Sequence, residues 1–168
     1  MYGETYVDRS GTVLIEPRFS EASDFSEGLA PVRPQHISDG GKCGYIDRHG
    51  AMRIAARFDN ARRFREGLAA VELERSFGYI DRAGTVKIEP RFGLAGDFAE
   101  GLAAVALENT GGYIDTHGQS AIAAAYIWAD AFRDGVARVA VPGRFNDDLV
   151  YVHGYINRTG EYVWAPSL

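Results

Sequence analysis

Apolar residues along this chain fall at every second position in many short stretches. In Thr85-Val86-Lys87-Ile88 the alternation is plain, and it returns at Val13 and Ile15, Met52 and Ile54, and Tyr162 and Trp164. Period two is the strand period. Each of these stretches follows an Asp-x-x-Gly or Asn-x-x-Gly segment that is itself preceded by Tyr and Ile or Val. Asp bonds the backbone two residues on, and Gly accepts a positive φ, so two strands joined by a tight turn are predicted. A third strand starts at each Gly-Leu or Gly-Val pair. Ala69, Val71 and Leu73 alternate with Leu68, Ala70 and Glu72, and Ala103, Val105 and Leu107 and Ala137, Val139 and Val141 repeat the arrangement. Residues 57–65 lack alternation. They read as a compact turn, with one helical turn as its alternative form, and Phe58, Ala61 and Phe64 pointing inward.

These elements recur. The block Tyr45-Ile46-Asp47-Arg48-His49-Gly50 returns at Tyr79, Tyr113 and Tyr155, and Tyr6-Val7-Asp8-Arg9-Ser10-Gly11 precedes them all. The closing glycines Gly11, Gly50, Gly84, Gly118 and Gly160 stand 39, 34, 34 and 42 residues apart. A second block follows the first four copies: Phe25-Ser26-Glu27-Gly28-Leu29-Ala30, then its counterparts opening at Phe64, Phe98 and Phe132. Between the blocks lies Ile-x-Pro-Arg-Phe, at Ile15–Phe19 and Ile88–Phe92, with weaker copies at Ile54–Phe58 and Ile122–Tyr126. Pro166 aligns with Pro17 and Pro90. The units run at about 6–43, 44–77, 78–111 and 112–153, with a terminal hairpin at 154–168, all within one β-repeat domain spanning 1–168.

A helical repeat of this length is disfavoured by the glycines and by β-branched and aromatic residues at alternate positions. The expected fold is all-β: tandem units, each a three-stranded antiparallel sheet, stacked as an open solenoid or superhelix. Small propeller-like closure is the alternative, though propeller blades usually hold four strands in about 40–45 residues. One such sheet has too few apolar residues to stand alone, so neighbouring units must cover one another.

Composition narrows the role. The 168 residues carry 23 acidic and 18 basic side chains, a formal charge of −5, and 46% are apolar. That apolar fraction is enough to bury a core and argues against wholesale disorder, and the acidic balance argues against a nucleic-acid surface. Cys43, the single cysteine, builds neither an internal disulfide nor a cysteine metal site. The first residues show no signal-peptide pattern, and no apolar run reaches the roughly 20 residues of a membrane span. A cytoplasmic protein is expected.

The phrase Gly-Tyr-Ile-Asp-x-x-Gly, then Ile-x-Pro-x-Phe, then Phe-x-Glu-Gly-Leu-Ala, resembles the bacterial WG-repeat (KWG-repeat) family across essentially the whole chain. The tryptophan that names the family is replaced in every unit, by Cys43, Phe77, Gly111 and His153 before Gly44, Gly78, Gly112 and Gly154. The resemblance implies a β-rich repeat, mostly a non-catalytic binding or scaffolding element, with no catalytic residues to carry over.

The chain offers little for chemistry. His49 and His117 are read as exposed turn residues, His36 and His153 lie in or beside loops, and no H-E-x-x-H, Cys-x-x-Cys, EF-hand or P-loop occurs. No catalytic residue, metal or cofactor is assigned. Recurrent Asp8, Asp47, Asp81 and Asp115, and Glu27, Glu66 and Glu100, are read as turn residues, since every unit needs a turn. Arg18, Arg57 and Arg91 are expected to pair with a neighbouring unit's Asp or Glu, with an anion-binding ladder as the alternative.

Departures from the repeat point to function, because a structural residue recurs and a functional one need not. Both length changes fall between the Gly-Leu strand and the next hairpin, at 33–42 and 142–151. The candidate binding residues there are Arg33 and His36 in the first, and Arg144, Phe145, Asp147, Asp148, Leu149 and Tyr151 in the second. Insertions of this kind often mark a binding face, and aromatics with arginine are what interface anchors use. A tolerated surface insertion is the rival reading.

The leading expectation is a protein that binds another protein, as an adaptor, an inhibitor or an immunity-type binder, with no nucleic-acid or membrane partner. A homodimer through sheet edges is open to it. The alternative is a glycan- or nucleotide-binding module, in which Tyr45, Tyr79, Tyr113 and Tyr155 would form an exposed row. An enzyme is least expected.

Overall fold

The structure, a computed structural model, describes residues 4–35, 41–108, 110–145 and 148–166, with only the backbone of Phe145. His36 and Asp147 lie outside the described residues. The chain divides into two compact units, Met1–Pro90 and Arg91–Leu168.

In the first unit, β1 (Glu4–Val7), β2 (Val13–Ala22), β3 (Leu29–Pro34), β4 (Cys43–Asp47) and β5 (Met52–Phe58) form one sheet in chain order. The second sheet holds β6 (Asn60–Ala61), β7 (Leu68–Leu73), β8 (Ser76–Asp81) and β9 (Val86–Phe92), whose last two residues fall past the unit boundary. In the second unit, β10 (Leu94–Ala95), β11 (Leu102–Leu107), β12 (Thr110–Asp115) and β13 (Ser120–Tyr126) form one sheet. Its other sheet is β14 (Trp128–Ala129), β15 (Val136–Phe145), β16 (Asp148–Asn157) and β17 (Tyr162–Trp164). The ladders are antiparallel, and no sheet closes into a barrel. No helix among the described residues is long and apolar enough to cross a membrane.

Two expectations change. The sheets carry four or five strands rather than three, and residues 57–65 form no helical turn. After β5, β9 and β13 the chain bends and gives a two-residue strand, β6, β10 and β14 in turn, to the next sheet. Asn60 pairs with Glu72 and Ala61 with Val71; Glu21 and Ala22, at the end of the unbroken β2, do the same with Arg33 and Val32. Alternation is lost where a strand changes sheets, and this is why the sequence pattern there is illegible. It also moves the structural unit out of phase with the sequence unit: each Gly-Leu strand pairs with the hairpin that follows it, as in Val71 with Gly78.

The core is built from the residues the alternation selected. Tyr45, Ile54, Phe58, Phe64, Val71 and Ile80 pack together in the first unit, beside Ile15, Phe19, Val32 and Ile46. Tyr113, Ile122, Tyr126, Phe132, Val139 and Ile156 do so in the second. Each such side chain contributes roughly 1.5–3 kcal/mol on burial.

Candidate functional site

The recurrent polar residues are engaged by the fold itself. Asp47 Oδ1 accepts the N–H of His49 at 2.9 Å and of Ala51 at 3.0 Å. Asp81 and Asp115 accept the same pair of N–H groups, and Asn157 accepts them from Thr159 and Glu161. At Asp8 the Ser10 hydroxyl adds a further bond and holds the carboxyl below its usual range, together with the N–H of Thr12. At Asp47 desolvation works upward but is outweighed by the Ala51 and His49 N–H groups, so that carboxyl too is lowered. These aspartates are turn residues, as their recurrence predicts.

The arginines depart from expectation. Arg57 Nη2 donates to the carbonyl of Gly84 at 2.6 Å, Arg91 Nη2 to that of Gly118 at 2.6 Å, and Arg18 to that of Gly50. Each guanidinium also lies over the ring of the phenylalanine after it, 4.9–5.3 Å from the centroid. The partner is therefore the backbone of the next turn rather than a carboxylate. The carbonyl wins because the turn glycine is seated directly beneath the preceding strand: a Cβ on Gly50 would stand 3.0 Å from Ile15.

Glu27 and Glu100 likewise reach the following repeat, accepting the N–H of Gly67 at 3.0 Å and of Gly135 at 3.1 Å. Each Glu-Gly pair is a two-residue turn with both φ positive, at Glu27 52° and Gly28 86° and at Glu100 54° and Gly101 81°, closed by reciprocal backbone bonds between its flanking residues. The tyrosines follow suit. Tyr45, Tyr79 and Tyr113 are buried, at 0, 0 and 1% exposure, so the exposed aromatic row required for a glycan or nucleotide ladder is absent from three of its four positions.

The candidate residues of the first insertion divide. Arg33, in β3, is half-buried and engaged by the fold. It pairs with Glu21 at 3.0 Å and donates to the carbonyls of Gly41 and Asp59. These contacts brace its own connection.

The second insertion is not a loop. β15 and β16 are ten residues long where β11 and β12 are six, so the eight extra residues divide equally and extend one hairpin. Pro142 pairs with Tyr151, Gly143 with Val150, Arg144 with Leu149, and Phe145 with Asp148. The valines at 141, 150 and 152 favour strand, and the added residues pair with each other. Cross-strand partners share a face, so the pairings Arg144–Leu149, Pro142–Tyr151, Ala140–His153 and Arg138–Tyr155 line one side of the sheet. Trp128, paired with Ala140, joins them, as does Trp164, whose ring lies 6.0 Å from Tyr155. Leu149 is 67% exposed and Tyr151 62%. Seven of the fourteen large apolar side chains exposed among the described residues belong to this one sheet, which makes it the candidate site. Asp130 orders the face, accepting from Trp128 Nε1 at 2.7 Å and from Arg138 Nε at 2.9 Å. Asp148 is exposed at the hairpin's far end.

Trp128 and Trp164 were not evident as site residues from strand alternation. The signal lay in the repeat comparison: Trp128 stands where other units have Leu94 and Asn60, and Trp164 where they have Ile88 and Ile122. Elsewhere the chemistry is sparse. Cys43 is buried, and desolvation pushes its thiol up, away from a reactive thiolate. No group of three or more His, Cys, Asp or Glu able to hold a metal ion occurs among the described residues.

A model of a family described as "WG containing repeat" matches residues 5–33, 44–74, 77–110 and 112–141. No curated protein matches the chain.

Proposed function

This chain belongs to the WG-repeat family, and from that premise we propose that it is a non-catalytic repeat protein that grips another protein with the exposed face of its β14–β17 sheet. The observation that carries the reading is the extended β15–β16 hairpin, which holds Leu149, Tyr151 and Arg144 on the same face as Tyr155, Trp164 and Trp128. Aromatic residues and arginine are the side chains whose burial dominates protein interfaces, and a contiguous apolar face of this kind is uncommon on a surface that meets only water. The repeated residues support the same reading by subtraction, since they are spent on turns and joints. An adaptor, an inhibitor or an immunity-type binder would each use such a face.

The test is a comparison of wild type with the double variant Leu149→Ser, Tyr151→Ser in affinity capture from the native cell, with captured proteins identified by mass spectrometry. A specific partner should be retained by wild type and lost by the variant at unchanged far-ultraviolet circular dichroism. A partner captured equally by both overturns the hairpin's role.

A further inference from the structure

Three joints between successive hairpins hold a guanidinium in the same way. Arg57 Nη2 donates to the Gly84 carbonyl at 2.6 Å, Arg91 Nη2 to the Gly118 carbonyl at 2.6 Å, and Arg18 to the Gly50 carbonyl. Each guanidinium lies across the ring that follows it, Phe58, Phe92 and Phe19 in turn. An isoleucine fixes the turn glycine: a Cβ on Gly50 would stand 3.0 Å from Ile15, and one on Gly84 3.0 Å from Ile54. A ring, a carbonyl and an isoleucine thus form a seat for one guanidinium. The fourth joint keeps that frame. A Cβ on Gly160 would stand 2.9 Å from Ile122, and Tyr126 supplies the ring. The arginine position, however, is Ala125, which is exposed. The Gly160 carbonyl accepts no hydrogen bond among the described residues. This difference is set by one internal residue, with strand and turn both in place.

Three further departures from the repeat surround the same joint. Tyr126 stands where the other copies have phenylalanine, and its hydroxyl, bound by no described residue, is not buried. Tyr162 stands where they have Val13, Met52, Val86 and Ser120, close enough to Tyr126 for the two phenols to interact. Glu161 stands where they have Thr12, Ala51, Thr85 and Gln119. Its carboxylate is held on the turn by Asn157 Nδ2 at 2.9 Å and the Thr159 hydroxyl at 3.1 Å. Asn157 itself replaces the turn aspartate, so the turn's carboxylate moves to the residue beside Gly160. Loss of an arginine alone predicts none of these changes. Together they add aromatic faces and a counter-charge, the groups that hold a cation. The formal charge of −5 favours its approach. The seat selects a guanidinium over an ammonium, because only a planar cation stacks on a ring while donating sideways to a carbonyl.

We propose that the joint of Ala125 and Gly160 binds a guanidinium group from outside the chain, an arginyl side chain or a small guanidinium compound. The group lies across Tyr126 and donates to the Gly160 carbonyl, with Glu161 as its counter-charge. The site is at the opposite end of β16 from Leu149 and Tyr151, so it stands or falls apart from the hairpin face. The probe is N-acetylargininamide, titrated into the isotope-labelled full-length protein and followed by amide chemical shifts. N-acetyllysinamide at the same chloride concentration is the control.

Shifts at the Ala125, Gly160, Glu161 and Tyr162 amides should saturate, with a half-point of about 1–20 mM. The lysine compound should bind at least about fivefold more weakly. Ala125→Arg fills the seat from within and should abolish the response. Glu161→Thr, an exposed change that restores the residue of earlier copies, should weaken binding by about threefold or more. An arginine flanked by two glycines on each side separates the two sources. Affinity at least about fivefold above the single residue assigns the guanidinium to an extended protein segment, and equal affinity assigns it to a small compound. Shifts that stay linear to about 50 mM overturn the proposal. So does equal binding of the lysine compound, or equal affinity of wild type and either variant.

Discussion

A glycine is required in this repeat for two separate reasons, and they predict different costs. Gly67 has φ 79° with nothing within 4 Å of the place a Cβ would take. Gly78, the glycine after the family's tryptophan position, lies in a strand, but its Cβ would stand 2.5 Å from the Ile88 carbonyl oxygen and 2.7 Å from the Pro90 nitrogen. Gly67→Ala should therefore cost about 1–2 kcal/mol of left-handed strain. Gly78→Ala must push two strands apart and should cost about 3 kcal/mol. Denaturant midpoints measure both, and equal shifts would contradict the distinction. The tyrosines make a second prediction. Burial pushes the Tyr6 phenol up to about 12 and raises Tyr113 as well. The folded state thus favours the neutral phenol. That contribution is complete below the unfolded value near 10 and is lost as the pH rises through the folded one. Urea midpoints should fall above about pH 10, and less steeply in Tyr113→Phe; an identical alkaline slope in that variant would refute the assignment. The sequence marked these tyrosines as recurrent. Their burial, and the carbonyls that receive their hydroxyls, depend on a turn 17 residues further along.

At the scale of the element, the joint between successive hairpins is an isoleucine, an arginine and a glycine. Ile54 and Ile122 pack on Gly84 and Gly160, each within about 3 Å of a would-be Cβ. Arg57 closes the first contact on the Gly84 carbonyl, but Ala125 stands at that position before Gly160. Ala125→Arg should restore the missing bond across Tyr126 and stabilise the chain by about 0.5–1.5 kcal/mol. A melting temperature unchanged or lowered would show that the last joint differs in geometry. The strands and turns of each hairpin were legible, because alternation and Asp-x-x-Gly are local signals. The two-residue strands such as Asn60–Ala61 were not, because only pairing with Glu72 and Val71 makes them strands at all.

For the molecule as a whole, the extended hairpin is an addition to the repeat rather than part of its support. Replacing residues 144–149 with Asn-Gly would close the strands at the pair Gly143–Val150, with the turn dipeptide that two-residue hairpins favour. The β-dominated circular dichroism and thermal midpoint should persist, while partner capture is lost; a collapse of the spectrum would make the hairpin structural. Repetition in the sequence determined the all-β class, the positions of the hairpins and the residues of the core, since identical local patterns meet identical local physics. Tertiary structure alone decided what the recurrent polar groups touch, because hydrogen bonds such as Arg57 to Gly84 and Glu27 to Gly67 cross from one repeat to the next. It also decided that the second insertion is paired strand, and that Tyr155 lies open where Tyr45 and Tyr113 are covered. Exposure is set by which neighbour covers a side chain, and residues of one repeat carry no record of whether another stands against them.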